Sequence, residues 1–119
     1  IAYERVLTVM VGHTIYTKID PDYVSSQSKK IITTILREQL FFQGIILTDD
    51  LDMSAISLNP NNAFRSIDAG ADIILICNNF ENYERNFNFL CEKIKKYEVN
   101  SETEKQSLER ILRIKKIVT

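Results

Sequence analysis

Three aspartates lie within four positions directly after an apolar run, and they are the residues best suited to chemistry in this sequence. The run Gly44–Leu47 is followed by Thr48 and then by Asp49, Asp50 and Asp52. Three carboxylates at the end of a buried strand are unfavourable unless they reach water or take part in binding or catalysis. Aspartate is also favoured in turns and helix caps, so position alone leaves a structural role open.

The single histidine, His13, follows another apolar run. A histidine at a strand end can bind a polar substrate or tune a neighbouring acid. It can equally be a packed residue that is hydrogen-bonded to backbone, and its spacing favours that simpler interpretation. One histidine excludes a metal site built from several imidazoles within this chain. With neither a glycine-rich phosphate loop nor a nucleophile-elbow serine, we predict no metal and no cofactor.

The elements that must position these residues alternate between strands and helices. Three apolar runs rich in β-branched residues, over Val6–Val11, Gly44–Leu47 and Asp72–Ile76, predict strands that are buried on both faces. Segments with helical spacing lie between and after them. This order predicts a parallel sheet in an α/β fold. In such folds, reactive side chains gather where strands end.

The first helix is predicted between the first two strands. Its serine-rich start offers capping oxygens, and Gly44 follows its end. The proposed caps are Ser25, Ser26 and Ser28; the apolar face comprises Ile31, Ile32, Ile35, Leu36 and Leu40; the solvent face comprises Lys29, Lys30, Arg37 and Glu38.

Three further helices are predicted. One covers Asn62–Asp68 and stops at Gly70, and another covers Tyr83–Lys96. The last begins with a capping box formed by Ser101 and Glu104. Its inward-facing residues are expected to be Leu108, Ile111, Leu112 and Val118.

Composition and charge narrow the classes of protein. The 119 residues are 45% hydrophobic and 26% charged, with a formal net charge of −1. This balance gives no electrostatic footprint for nucleic acid or an anionic membrane surface, and we predict neither partner. No apolar run approaches the ~20 residues of a transmembrane helix. Two cysteines make no disulfide framework, which favours the cytoplasm.

Four stretches of the chain resemble the second half of a glycoside hydrolase family 3 β-N-acetylhexosaminidase, in the same order. The resemblance covers nearly the whole chain, and the segment around Thr48, Asp49 and Asp50 is the most specific to the family. The stretches are VMVGHTIY (9–16), IITTILREQLFFQGIILTDDLDMSAI (31–56), AFRSIDAGADIILIC (63–77) and LERILRIKKI (108–117).

The resemblance implies a fold and a role for two residues. The fold is the C-terminal portion of a (β/α)8 TIM-type barrel, with residues 1–119 as a fragment that lacks the N-terminal strands. Asp49 matches the family's catalytic nucleophile, which forms a covalent glycosyl-enzyme intermediate. His13 matches a strand-end histidine near the sugar and is a candidate substrate-binding residue. The substrate would be an N-acetylglucosamine-containing saccharide, and the family's role implies peptidoglycan recycling.

Residues on which the family depends do not match any position here. Its acid/base is a histidine supported by an aspartate on a loop, and that loop and the residues that hold the sugar come earlier in the family's chain. A nucleophile without an acid partner loses protonation of the leaving group. We therefore expect little activity from these residues alone, and expect the N-terminal half of the barrel to join them in cis or in trans.

Two other interpretations stay open. The chain can be a non-catalytic barrel remnant that serves as a binding or assembly module. The segment IILTDDLDM also resembles the strand-end acidic pair that holds magnesium in receiver-like signalling domains. That interpretation is less favoured, because Cys77 and Asn78 stand where such a domain has its phosphoacceptor aspartate, and a motif counts only in its context.

Overall fold

The computed structural model describes residues 6–54, 56–96, 98 and 100–119. Three strands and four helices alternate as predicted, with a short 3-10 turn before the first helix. The elements in chain order are β1 (Thr8–Val11), the 3-10 turn (Ser25–Gln27), the π-helix (Lys30–Gln39), β2 (Ile45–Asp50), α1 (Asn62–Ala69), β3 (Ile73–Leu75), α2 (Phe80–Lys95) and α3 (Ser101–Val118).

The strands form one parallel sheet in the order β1-β2-β3. Thr8 pairs with Ile45 and Val11 with Thr48, while Leu47 pairs with Ile73. The predicted second strand ended at Leu47, but β2 continues to Asp50. Asp49 and Asp50 are therefore part of the strand, because backbone pairing with β3 extends to Asp50 and Leu75, whereas Asp52 lies in the turn after it.

One face of the sheet carries the core. Apolar residues from β1, the π-helix and β2 pack there with the segment before β3. The buried members are Val11, Ile32, Phe42, Ile46, Ala69 and Ala71. A smaller cluster of Leu51, Ile56 and Ala63 continues the core beyond the carboxyl end of β2.

The prediction that each strand is buried on both faces is wrong for β1. Thr8 and Met10 are exposed, whereas Val9 is half-buried and Val11 is buried. β1 is an edge strand of the described sheet, and its alternate side chains, Thr8 and Met10, meet solvent. An apolar run therefore did not distinguish a strand covered on both sides from one covered on a single side.

The first predicted helix is present, but its hydrogen bonding is that of a π-helix. Leu40, which was predicted on the apolar face, lies at the end of this helix and is exposed. Arg37 was predicted on the solvent face, and that prediction is wrong. The Arg37 side chain folds inward to the buried carboxylate of Asp72. Charge alone predicted a solvated residue, and only the tertiary fold supplies the buried partner that makes an inward guanidinium favourable.

Helix boundaries follow the local signals in part. Helix α1 ends at Gly70, as predicted, with φ of 112° and with Thr33 Oγ1 only 2.8 Å from where a Cβ would lie. Glycine is favoured there both for its backbone conformation and for the space available. Helix α2 begins at Phe80, three residues before the predicted start, because the Asn79 side chain caps it by accepting from the Asn82 N–H.

The last helix is capped differently from the prediction. Asn100, rather than Ser101, is its N-cap and accepts hydrogen bonds from the Glu102 and Thr103 N–H groups. Asn and Ser compete for this position on similar terms. Ile114 is the one residue of α3 that is buried, and three of the four residues predicted to face inward are exposed: Leu108, Leu112 and Val118.

Candidate active site

Asp49, Asp50 and Asp52 lie together at the carboxyl end of β2, but their carboxylates have different surroundings. Asp50 is engaged by the neighbouring strand. Its Oδ1 accepts from the N–H groups of Asp52 and Cys77, each at 3.0 Å, and its Oδ2 lies 3.4 Å from the Asn78 side-chain amide. This carboxylate ties the end of β2 to the chain that leaves β3.

Asp52 binds the start of α2. Its Oδ2 accepts from the N–H groups of Asn78 and Asn79, at 2.8 and 2.7 Å, and its Oδ1 accepts from Asn82 Nδ2 at 2.7 Å. Burial raises the pKa of Asp52, but these hydrogen bonds outweigh that effect and hold the pKa below its ordinary value. Asp52 is therefore an ionised structural anchor.

Asp49 retains an uncommitted carboxylate oxygen. Its Oδ1 accepts from the Asp50 N–H at 2.8 Å, and within the described part of the chain no donor reaches Oδ2. The side chain is half-buried. Of the three strand-end carboxylates, Asp49 is thus the one whose geometry leaves an oxygen available to a ligand.

The sheet is irregular at Asp49. Leu47 pairs with Ile73 and Asp50 with Leu75, so two residues of β2, Thr48 and Asp49, stand opposite one residue of β3. An extra residue of this kind bends the strand and re-aims its side chains, and such bulges are frequent beside active sites. In a regular strand Asp49 and Asp50 would project to opposite sides of the sheet, and the bulge removes that simple alternation.

His13 bridges the ends of β1 and β2. Its Nε2 lies 2.9 Å from the backbone oxygen of Asp50, and its Nδ1 lies 2.7 Å from Ser26 Oγ. A carbonyl oxygen only accepts, so Nε2 carries the proton, and in the neutral imidazole Nδ1 accepts from the serine hydroxyl. His13 therefore holds the strand ends together, and its substrate-binding role stays a prediction.

The serines before the π-helix divide between two tasks. Ser28 Oγ accepts from the Ile31 N–H at 3.2 Å, but the N-cap of the π-helix is Lys29 rather than one of the predicted serines. Ser25 instead donates to the Gly12 oxygen at 2.6 Å, and Ser26 contacts His13. The 3-10 turn is thereby attached to the carboxyl end of β1.

Hydrogen bonds of buried amide side chains link the 3-10 turn, α1 and α2 next to the site. Gln27 Nε2 donates to Asn62 Oδ1 at 3.1 Å, and Asn86 Oδ1 accepts from the N–H of Ala63, the residue after Asn62. Asn86 Nδ2 in turn donates to Asn82, the residue that binds Asp52. Because these amides are buried and mutually satisfied, they hold the starts of α1 and α2 in one arrangement.

Cys77 follows β3, donates its backbone N–H to Asp50 and is exposed. Desolvation, together with the carboxylates of Asp50, Asp52 and Asp49, raises the pKa of its thiol. A thiol kept protonated is a poor nucleophile.

Among the residues that the structure describes, no group of three or more histidine, cysteine, aspartate or glutamate side chains is arranged to hold a metal ion. In the same part of the chain, no helix has the length and apolar character needed to cross a bilayer.

A parallel α/β sheet with an uncommitted carboxylate at its carboxyl edge has the arrangement of the active sites of α/β enzymes. The sequence comparison identifies the family within that class. The profile of the glycosyl hydrolase family 3 N terminal domain matches residues 1–114. The chain belongs to glycosyl hydrolase family 3.

Named relatives agree with this assignment. The chain is 41% identical over 81 residues to a beta-hexosaminidase of Haemophilus ducreyi, which covers 66% of this chain and 23% of the relative. A beta-hexosaminidase of Shewanella frigidimarina gives 41% identity over 81 residues, 66% of this chain and 24% of that protein. The chain thus spans about a quarter of the length of these relatives.

Solved structures of the family contain the same fold. A glycoside hydrolase family 3 beta-N-acetylglucosaminidase from Paenibacillus sp. superposes with a TM-score of 0.89 and 27% identity, over 95% of this chain and 22% of that one. The beta-N-acetylglucosaminidase from Thermotoga maritima gives 0.80 and 28%, over 92% and 25%. The predicted α/β fold, a portion of the barrel with three parallel strands, is confirmed.

The structure brings His13 and the aspartates to one edge of the sheet, as predicted from their positions at the ends of strands. Sequence reasoning gave no role to Thr48 or Asn82, which organise that edge. For Thr48, the available signal in the sequence was a hydroxyl residue that follows an apolar run and directly precedes the candidate nucleophile. Asn82 left no comparable signal, because its partner Asp52 is 30 positions away in the sequence.

Proposed function

We propose that residues 1–119 are the C-terminal part of the barrel domain of a retaining β-N-acetylhexosaminidase. It removes terminal N-acetylglucosamine from saccharides, in peptidoglycan recycling in the cytoplasm. The names of the relatives, beta-hexosaminidase and beta-N-acetylglucosaminidase, support the activity. The resemblance in motifs supports the recycling role. The observation that carries the proposal is the free Oδ2 of Asp49 at a strand end, where its two acidic neighbours are already engaged.

In the proposed reaction Asp49 is the nucleophile. Its free carboxylate oxygen attacks the anomeric carbon, and the glycosidic bond breaks as the leaving oxygen takes a proton from a general acid. The product of this step is a glycosyl ester of Asp49. Water, deprotonated by the same group acting as a base, then attacks the anomeric carbon and releases the carboxylate. Two inversions give net retention of configuration.

The proton donor is assigned to the N-terminal half of the barrel. A retaining enzyme needs this group ~5 Å from the nucleophile. His13 is not assigned this role, because its Nε2 proton is already donated to the Asp50 carbonyl. The partner half, joined in cis or in trans, would also supply the residues that hold the sugar.

His13 enters the proposal as a substrate-binding residue. Its Nδ1 faces a serine hydroxyl, which can rotate and leave that nitrogen free for a sugar hydroxyl. We expect His13→Gln to raise KM for an N-acetylglucosaminide more than it lowers kcat. An unchanged KM would remove His13 from the substrate site and leave it the structural bridge seen here.

The test of the proposal is Asp49→Asn in a protein that carries the complete barrel. Removal of a nucleophile's charge should lower kcat for a chromogenic N-acetylglucosaminide by about 10³-fold or more. Asp68→Asn is the matched control, because it makes the same change at an exposed position of α1 and should leave kcat unchanged. NMR of the first-formed sugar should show the β-anomer.

Two outcomes would contradict the proposal. An Asp49→Asn protein that keeps turnover would show that Asp49 is not the nucleophile. A complete, folded protein without hydrolysis, but with undiminished saccharide affinity in both variants, would favour the non-catalytic binding module.

A further inference from the structure

A side-chain hydrogen bond joins β2 and β3 at the bulge. In a regular parallel pair, the hydrogen bonds between the strands join main-chain groups. Here the backbone pairing of Asp50 with Leu75 continues in the bond from the Leu51 N–H to the Leu75 oxygen, at 2.8 Å. In addition, the Leu75 N–H donates to Thr48 Oγ1 at 3.2 Å. The threonine hydroxyl thus adds a side-chain acceptor at the position where the extra residue is accommodated.

Thr48 is suited to this task by its burial. Its relative exposure is 0%, so no water can replace the hydroxyl as the acceptor for Leu75. Loss of a buried hydrogen bond is unfavourable, and the extra residue of the strand would then be held less firmly. The residue that this loss would affect first is Asp49, which is the neighbour of Thr48 and the other residue of the bulge.

We propose that Thr48 is a positioning residue for Asp49. Its hydroxyl holds the bulge that sets the direction of the Asp49 carboxylate, and its loss misplaces the nucleophile without removing it. This inference rests on the proposed role of Asp49. Misplacement by about 1 Å can lower a rate about 10²-fold without abolishing binding, so the effect should fall on kcat rather than on KM.

Three variants in the complete-barrel protein test the inference. Thr48→Val keeps the shape and removes the hydroxyl; kcat should fall about 10- to 100-fold, with KM changed by less than about threefold. Thr48→Ser keeps the hydroxyl and should stay within about threefold of the parent kcat. Thr33→Val is the matched control. It removes a hydroxyl that donates to the Ala69 oxygen at 2.8 Å, before the amino end of β3, and should leave kcat unchanged.

The outcomes separate this inference from the proposed function. Equal kcat in Thr48→Val and Thr33→Val, or equal losses in Thr48→Val and Thr48→Ser, would overturn the positioning role. So would a rise in KM at constant kcat. If Asp49→Asn retains turnover, the proposed function is contradicted, and the inference about Thr48 fails with it because it rests on the role of Asp49. If Thr48→Val does not fold, Thr48→Cys replaces it, because a thiol accepts hydrogen bonds weakly; a kcat equal to that of Thr48→Ser would then overturn the inference.

Discussion

At the scale of single residues, the three strand-end aspartates show how identical side chains acquire different tasks. Asp50 and Asp52 bind backbone N–H groups of the chain between β3 and α2. Asp49 retains a free oxygen. Hydrogen bonds to a carboxylate favour its charged form and lower its reactivity. The two engaged aspartates therefore support the position of the third, which is the one proposed to react.

The anchoring role of Asp52 gives a pH dependence. Its folded-state pKa lies below the ordinary value of ~3.9. The stability it contributes is therefore complete above that ordinary value and is lost as pH falls through the folded-state pKa. In Asp52→Asn, the denaturation midpoint should fall less steeply with pH below about pH 4. Urea titrations between about pH 2 and pH 6 measure this, and a slope equal to that of the parent would contradict it.

Phe41 is the one described non-glycine residue with positive φ, at 53°. It follows the end of the π-helix and is 75% exposed, so its ring gains little from burial. Left-handed backbone strains a bulky residue by roughly 1–2 kcal/mol. Replacement by glycine relieves this strain, but the greater freedom of glycine in the unfolded chain offsets part of the stabilisation. We expect Phe41→Gly to raise the free energy of unfolding by about 0.5–1 kcal/mol.

Phe41→Ala is the matched control for this prediction, measured by the same denaturant titration. It removes the same exposed ring but keeps a Cβ in the left-handed region. Stabilisation of equal size in both variants would show that removal of the ring, rather than relief of strain, is responsible.

At the scale of elements, one buried carboxylate joins three of them. Asp72, just before β3, accepts from Arg37 of the π-helix at 2.6 Å, from Arg110 of α3 at 2.8 Å and from the Ile46 N–H of β2 at 2.8 Å. The Asp72 side chain has no exposed surface. Loss of the carboxylate would leave both guanidinium groups without their counter-charge, and loss of either arginine would remove one of its two charged partners, so the three elements depend on one another.

We expect Asp72→Asn to destabilise the protein by about 3–5 kcal/mol, because it leaves two guanidinium groups without their shared counter-charge. The control is Glu81→Gln, which breaks the exposed ion pair between Glu81 and Arg85 and should change stability by less than about 1 kcal/mol. Denaturant midpoints of the two variants measure the difference. Similar small effects in both would mean that Asp72 is not a central connection.

At the scale of the whole molecule, the sheet is open at both sides. Within the described residues, β1 and β3 each pair with one strand only. Apolar surface lies beside β3, where a cavity of about 480 Å³ is lined by Ile73, Leu75, Tyr83, Phe87 and Leu90 among others. Unpaired edges flanked by apolar side chains are the surfaces that neighbouring barrel strands and helices would cover.

Completion of the barrel can be tested by mixing. Residues 1–119 alone should show little hydrolysis of a chromogenic N-acetylglucosaminide, because the general acid is assigned to the other half. Addition of a separately purified N-terminal half should raise the rate. The same mixture made with Asp49→Asn should not gain activity. Equal activity of residues 1–119 with and without the added half would contradict the division of the site.

The sequence by itself determined the order of strands and helices, the stop of α1 at Gly70 and the strand end that carries the aspartates. These features depend on local periodicity, backbone preference and motif. Only the tertiary structure decided that Arg37 faces inward to Asp72, that Asp50 and Asp52 bind the chain after β3, and that Thr48 adds a hydrogen bond across the bulge. Each of these contacts joins residues that are 26 to 35 positions apart, which no local pattern specifies.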